Sequence, residues 1–261
     1  MSLEFEDIFD ENEIPPHFGD VLAEGRSSLE ETLMRYHDAK RNSGGDYTSA
    51  LSYDYRSLAN LGYLVEGDVV GFHANLALQA KYRIELFDRF DVGEPIDASW
   101  ISMYAYKKLL DALASGSLDM ARTLAERMGG RPELERKFDT PFETAMGYAL
   151  KALVLGDDAE AGKRIAAIAD SCKQSGYTNL APYGPVLKAI AERDDAALEA
   201  AFPALLAGHR RLSKGSGMFS YTDDAYLFVW GIGLLNLARS RGMTFDIKDP
   251  LLPDELIVGL R

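Results

Sequence analysis

Residues 223–242 read DDAYLFVWGIGLLNLARSRG, a run with acids at its start, bases in its last turn and a glycine at its end. These are the signals of one complete helix, because acidic side chains favour a helix N-terminus and glycine commonly follows the C-terminus. A helix that is apolar on nearly all sides is buried in a core or in a membrane. The apolar part is interrupted by Gly231, Gly233 and Asn236 and is shorter than the roughly 20 residues that a bilayer requires. The sequence therefore predicts a central buried helix in an all-α protein.

The composition is that of a globular chain with an acidic surface. Hydrophobic residues make up 47% and charged residues 26% of the chain, and the net charge is −13. This charge argues against binding nucleic acid or an anionic membrane, and it favours a basic partner or simply solubility. One cysteine, Cys172, excludes an internal disulfide and a cysteine-based zinc site. Because the acidic start lacks signal-peptide features, we expect a cytoplasmic protein. Its oligomeric state is left open.

The N-terminal part of the chain is predicted to be an arm that leads into one domain. Residues 1–25 mix acids with prolines and read as an irregular acidic arm, whereas 26–261 read as a single all-helical domain. Overlapping capping-box patterns begin at Ser27 and Ser28, each followed three residues later by a glutamate. They predict a helix that ends near Asn42, where glycines follow.

Two long helices are predicted next, at 47–66 and 68–90, with a break at Gly67. Asp97 is a plausible N-cap for the helix after them. The second long helix carries a stripe of apolar residues at helical spacing, which predicts packing against a neighbour: Phe72, Leu76 and Ala80. Whether residues 26–90 share the core of the later helices is left open.

A weak repeat occupies about residues 97–242. Three short breaks, each a helix end followed by a new N-cap, lie at Ser117, Asp157 and Asp194, with periods of 40 and 37 residues. Periods near 40 are typical of stacked helical hairpins, so the fold predicted is α-solenoid-like, built from antiparallel hairpins around the central helix. A further capping box at Thr140, with proline at the first helical position, predicts another helix start.

Two segments depart from the helical pattern. Pro203 lies inside the helix expected over 194–212 and is predicted to kink or split it. Residues 243–247 show a short alternation of the kind that a strand has.

Motifs that carry chemistry are scarce, so no catalytic residue, metal or cofactor is predicted. The dipeptide His37-Asp38 is similar to a metal-binding dipeptide of helical phosphohydrolases, but the other histidines lack suitable spacing. Helix capping accounts for the acidic pairs, which are Asp157-Asp158, Asp194-Asp195 and Asp223-Asp224. His209 near a helix end shows no partner that a catalytic base requires.

Four segments in the last third resemble the immunity protein 49 family of bacterial polymorphic toxin systems. They are a proline-led helix that ends in Arg-Asp, a helix that ends in histidine, a Leu/Ala-rich helix closed by glycine, and a terminal Pro-x-x-Leu; their positions are 182–194, 201–209, 234–242 and 249–256. The loop at 218–221 departs from the family pattern. The resemblance implies an all-α protein without catalysis, which binds and neutralises a cognate toxin encoded nearby. The negative charge fits a basic toxin, for example a nuclease.

Two candidate partner-binding surfaces follow from the residues. One is the loop with Met218, Phe219 and Tyr221, whose side chains would act as interface anchors if they were exposed. The rival is the acid-rich arm, with Glu4, Glu6, Asp7, Asp10, Glu11 and Glu13. Two other functions stay open: a general helical-repeat scaffold for protein binding, and an all-helical enzyme, which a deep cavity holding converging histidines or carboxylates would favour.

Overall fold

The computed structural model describes residues 13–260, and these fold into an all-helical structure. Their eleven α-helices are joined by turns and five short 3-10 helices. The described residues contain no strand, so the alternation at 243–247 is not one. The α-helices are α1 (Phe18–His37), α2 (Asp46–Glu66), α3 (Val69–Asp91), α4 (Tyr106–Ala114), α5 (Leu118–Arg127), α6 (Pro132–Phe138), α7 (Pro141–Leu155), α8 (Asp158–Ser175), α9 (Tyr183–Glu192), α10 (Asp195–Leu212) and α11 (Val229–Ser240).

The first helix begins earlier than predicted. Helix α1 starts at Phe18, so residues 18–25, expected to be part of an irregular arm, are helical. Phe18 is buried and meets the ring of Tyr226 edge to face at 5.4 Å, and this long-range contact fixes the helix start. Ser27 and Ser28 therefore do not cap a helix; within α1 their hydroxyls donate to backbone carbonyls one turn earlier.

Helices α2 and α3 form where the sequence predicted them. Gly67 adopts the left-handed conformation at φ 70°, and the Asp68 carboxylate accepts from the Gly71 amide at 2.8 Å as the N-cap of α3. The predicted stripe of α3 is fully buried, and it belongs to the same apolar cluster as residues of α4, α5 and α7 to α11. Helix α3 and the repeat region thus share one core, whereas Phe18 and Leu22 of α1 form a second apolar cluster with Leu58 and Leu61 of α2.

The three predicted repeat breaks are confirmed as helix starts. Ser117, Asp157 and Asp194 each accept a hydrogen bond from a backbone amide three residues on and cap α5, α8 and α10. The capping box at Thr140 is also confirmed at the start of α7. Pro203 does not split α10, which is continuous on both sides of it.

The central helix α11 is shorter than predicted. It begins at Val229, and the expected first turn is a separate 3-10 helix, Asp223–Ala225. Every residue from Val229 to Ala238 is buried, and Gly242 follows the helix at φ 83°, as predicted. A Cβ atom on Gly233 would lie 2.4 Å from the Leu110 carbonyl oxygen, so glycine here lets α11 approach the backbone of α4. Among the described residues, no helix combines the length and apolar character needed to cross a membrane.

Candidate functional site

A cleft opens where α2, α3 and α4 meet the turns around them. It consists of two adjoining cavities of about 310 and 300 Å³, which share Tyr53, Tyr104 and Lys108 as lining residues. The first cavity extends toward Arg83, Ser99, Trp100, Ser102, Ala105 and Phe138. The second extends toward Arg56, Lys107, Asp111, Met218, Phe219, Asp224 and Trp230.

Arg83 is a buried cation on the floor of the cleft. Its side chain projects from α3 and is 2% exposed, and its Nη1 donates to the Trp100 carbonyl at 2.9 Å. Its Nε atom is buried without a hydrogen-bond partner among the described residues. No carboxylate in the described part of the chain forms an ion pair with this guanidinium. Burial lowers the pKa of Arg83, but an arginine remains charged.

Lys108 is the second buried cation. Its Nζ lies 3.6 Å from Asp111 Oδ2 and 4.3 Å from the centre of the Tyr53 ring. Burial is the main cause that lowers the pKa of Lys108 to about 7; Asp111 opposes the shift, whereas Arg56 and Arg83 add to it. This amine therefore changes charge close to neutral pH.

Lys107 adds a third cation nearer to solvent. Its Nζ lies 3.6 Å from the centre of the Tyr104 ring, within cation–π distance. Burial lowers the pKa of Lys107 to about 8, against the attraction of Glu143 and Asp224.

Arg56 belongs to an internal ion-pair network. Its Nε donates to Asp111 Oδ2 at 3.0 Å and its Nη2 to Asp224 Oδ1 at 2.5 Å. Asn60 Nδ2 donates to Asp223 Oδ2 at 2.6 Å, so the acids of the pair 223–224 face α2 and do not cap the central helix. The capping interpretation was therefore wrong for this pair. Arg56 pairs with both carboxylates and Lys108 shares Asp111 with it, whereas Arg83 and Lys107 form no ion pair with a described residue.

The rim of the cleft carries exposed apolar side chains. Tyr53, Tyr104, Phe138 and Met218 come from four separate segments and are 36–49% exposed. Scattered exposed apolar residues are normal, but a group of them around one cleft is typical of a binding surface. The rim is apolar and aromatic, whereas the floor is positively charged.

The structure separates the three loop residues that the sequence grouped. Met218 lines the cleft, and Tyr221 is 84% exposed with a positive φ of 61°. Phe219 is 4% exposed, so the expectation of an exposed anchor is wrong for this side chain. Its ring packs 4.7 Å from His209 and 5.2 Å from Trp230, because the loop folds back over the apolar core.

His209 is a structural residue. Its Nε2 is 2.8 Å from the Asp224 carbonyl oxygen, to which it donates as the neutral imidazole, and its ring stacks on Phe228 at 4.2 Å. Burial lowers the pKa of His209 to about 4. This hydrogen bond links α10 to the 3-10 helix that precedes α11.

The other predicted candidates do not converge on the cleft. Among the acidic arm residues, Glu13 is exposed, and the remaining five lie outside the described residues. His37 and His73 lie on α1 and α3 and line neither cavity. Asp38 ends α1 and accepts from the backbone of the following turn. Within residues 13–260, no group of acidic, histidine and cysteine side chains is arranged to hold a metal ion.

The cations of the cleft were not predicted from the sequence. Lys108 and Asp111 lie three residues apart in a helix that is otherwise almost entirely apolar and buried, and this was the available signal. Arg83 gives no such signal, because it reaches the cleft only through the packing of α3 against α4. Comparisons of the chain with protein-family models, curated proteins and solved structures find no match.

Proposed function

We propose that this chain is a non-catalytic inhibitor in the cytoplasm that binds a partner protein, and that the rim of the cleft is its contact surface. In the immunity function that the resemblance implies, the partner is a toxin encoded nearby. The observation that carries the proposal is the group of half-exposed side chains around the cleft: Tyr53, Tyr104, Phe138 and Met218.

These side chains have the properties of interface anchors. Aromatic residues and methionine are enriched at protein interfaces, and those backed by a rigid, well-packed core contribute most to affinity. Tyr104 lies in the short 3-10 helix Met103–Ala105, which is held because Asp139 accepts from the Met103 and Tyr104 amides at 2.9 Å each. The anchor on this turn is therefore preorganised for binding.

The charges act at two distances. The net charge of −13 attracts a basic protein from afar, which fits a basic toxin such as a nuclease. At contact, the cations on the floor of the cleft repel basic groups and favour an acidic residue. A basic partner would therefore meet the cleft with an acidic or neutral patch.

The proposal is tested by co-expressing the chain with the product of the adjacent reading frame. We expect a stable complex on affinity purification and relief of any growth inhibition that the partner causes. Tyr104→Ala and Met218→Ala should each weaken the complex by about tenfold or more, because truncated anchors cost at least 1–2 kcal/mol. Val92→Ala is the matched control, since Val92 is 78% exposed and lines neither cavity. Unchanged affinity in both cleft variants would exclude this surface.

An enzyme is the second candidate, favoured by Lys108. An amine with its pKa at about 7 inside a cavity is partly neutral at pH 7, so it is suited to attack a carbonyl carbon and form an imine with release of the carbonyl oxygen as water. Borohydride reduction in the presence of a small ketone such as pyruvate would then leave a stable adduct on Lys108. Absence of this adduct by intact-mass measurement, with Lys108→Arg as the reference, would favour the binding function.

A further inference from the structure

The cleft combines a positive floor with an apolar rim in a protein of strongly negative net charge. Four basic groups and two acidic groups line the two cavities, whereas the whole chain has 28 basic and 41 acidic residues. The local excess of cations is therefore opposite in sign to the average surface. A cleft of this kind concentrates anions, because its low-dielectric walls strengthen the local field.

The cations on the floor are incompletely balanced. Arg83 is buried and its Nε donor has no partner among the described residues. Asp111 is the nearest acid to Lys108, but its Oδ2 already accepts from Arg56 Nε at 3.0 Å. Asp224 is likewise bound to Arg56. Arg83 thus has no counter-ion among the described residues, and Lys108 shares Asp111 with Arg56. Burying an incompletely balanced charge is costly, so an incoming anion would be stabilised here by both Arg83 and Lys108.

We propose that the cleft receives the side-chain carboxylate of an aspartate or glutamate on the partner protein. Arg83 and Lys108 bind the carboxylate, and the apolar neighbours of that acidic residue pack on Tyr53, Tyr104 and Phe138. A carboxylate suits the cleft better than a phosphate dianion, because Asp111 and Asp224 on the same floor repel the second negative charge. This inference rests on the proposed function, because the carboxylate is assigned to a residue of the partner protein.

Binding of the carboxylate is coupled to protonation of Lys108. The groups that face this amine are Tyr53 and Arg56 on α2, Arg83 on α3, Lys107 and Asp111 on α4, and Asp224 on the 3-10 helix before α11. A bound anion adds a negative charge to this set and therefore raises the pKa of Lys108 from about 7. Near neutral pH the complex takes up a proton, and its affinity falls as the pH rises.

The site can be tested on the isolated chain with a small probe. Hydrocinnamate carries a carboxylate on a phenyl body, and hydrocinnamamide is its neutral isostere. We expect calorimetry or NMR titration to show at least about tenfold tighter binding of the carboxylate, which corresponds to roughly 1.4 kcal/mol. Equal binding of the two probes would overturn the inference.

The variant Lys108→Met tests the assignment to this amine. In this variant Asp111 still has Arg56 as its ion-pair partner, so no buried carboxylate loses its counter-ion. We expect the preference for hydrocinnamate over its amide to fall by about tenfold. Lys188→Met is the matched control, because Lys188 lies on the exposed surface of α9, and it should keep the full preference. If Lys108→Met does not fold, Lys107→Met and the pH dependence of wild-type binding replace it.

Proton uptake gives a readout that a structural role of Lys108 would not produce. Calorimetry in two buffers with different heats of ionisation should show net uptake at about pH 7 for hydrocinnamate with the wild type, and less uptake with Lys108→Met. Binding without any uptake would contradict the coupling.

Failure of the inference can be told apart from failure of the proposed function. If the chain binds hydrocinnamate in this manner but no complex forms with the neighbouring gene product, the proposed inhibitor function fails and the carboxylate site stands. If the complex forms and its affinity is the same for wild type and Lys108→Met, the inference fails and the inhibitor function stands.

Discussion

Helix α11 and the cleft both lie against α4, but they differ in whether their buried polar groups have hydrogen-bond partners. Asn236 on α11 donates to the Leu113 and Ala114 carbonyls at 3.1 and 3.3 Å and accepts from the Gly259 amide at 3.0 Å. In the cleft, Arg83 Nε and Asp111 Oδ1 are buried without a partner among the described residues. The amide of Asn236 is thus satisfied within the protein, whereas the cleft leaves bonding capacity for a ligand.

This difference separates the parts that maintain the fold from the part that binds. Satisfied polar groups and close packing stabilise a unique core, whereas unpaired charges in a cleft reduce stability and are typical of functional sites. We therefore expect substitutions beside α11 to destabilise the protein, and removal of a cation from the cleft to stabilise it.

The largest effect is expected for Gly233→Ala. The added Cβ would meet the Leu110 carbonyl oxygen at 2.4 Å, so α11 and α4 would have to move apart. We expect the free energy of unfolding to fall by about 3 kcal/mol. Gly162→Ala is the matched control on α8, where a Cβ meets nothing within 4 Å, and it should raise stability by about 0.5–1 kcal/mol. Similar effects of the two substitutions in denaturant unfolding would contradict the close packing of α11.

The next largest effect is the pH dependence caused by His209. Its folded-state pKa of about 4 lies below its ordinary value of 6.5, so the unfolded chain binds a proton at a higher pH than the folded chain does. The stabilisation is fully present above about pH 6.5 and is lost as the pH falls through about 4, with a total near 3 kcal/mol.

His209→Gln retains a side chain that can donate to the Asp224 carbonyl but removes the titration. We expect its unfolding free energy to depend less on pH than that of the wild type over this acidic range. Parallel curves for the two proteins would show that His209 is not buried in neutral form.

A smaller loss is expected for Asn236→Ala. The substitution leaves the buried Gly259 amide without its acceptor and opens space beside α4. We expect a loss of about 2 kcal/mol in the free energy of unfolding, since an unsatisfied buried donor costs about 1–3 kcal/mol. If this variant were as stable as the wild type, the hydrogen bonds of Asn236 would not contribute to stability, and the contrast with the cleft would fail.

The smallest effect, and the one of opposite sign, is expected for Lys108→Met. Burial depresses the folded-state pKa of Lys108 below that of the unfolded chain, so protonation opposes folding more as the pH falls toward about 7. Removing the amine should raise the free energy of unfolding near neutral pH by about 1–2 kcal/mol. The gain should shrink as the pH rises from about 7 toward about 10, and it should vanish above about pH 10, where the unfolded chain has also lost the proton. A loss of stability would indicate that Lys108 is a structural cation.

The helix starts could be predicted from the sequence because capping is local. Ser117, Thr140, Asp157 and Asp194 each bond to an amide within three residues, so a short window contains the whole interaction. Asp224 looked like the same signal, but its partner Arg56 lies 168 residues away. The start of α11 was misplaced because a long-range ion pair and a local cap have the same local sequence pattern.

The site could be predicted only in fragments. Met218 was selected from the sequence as a contact residue, and the structure places it at the cleft, although its binding role stays a prediction. The cations come from α2, α3 and α4, and only tertiary packing brings them together. The burial of Phe219 could not be foreseen either, because it depends on His209 and Trp230 from other segments.

The most direct test of the cleft as the binding surface is an NMR titration of the methionine methyl groups. Met218 lines the cleft, and Met34 on α1 is 68% exposed and lines neither cavity, so the two are matched reporters. On addition of the adjacent gene product, we expect a large shift or broadening of the Met218 methyl signal and none for Met34. A Met218 signal that stays unchanged in a saturated complex would contradict it.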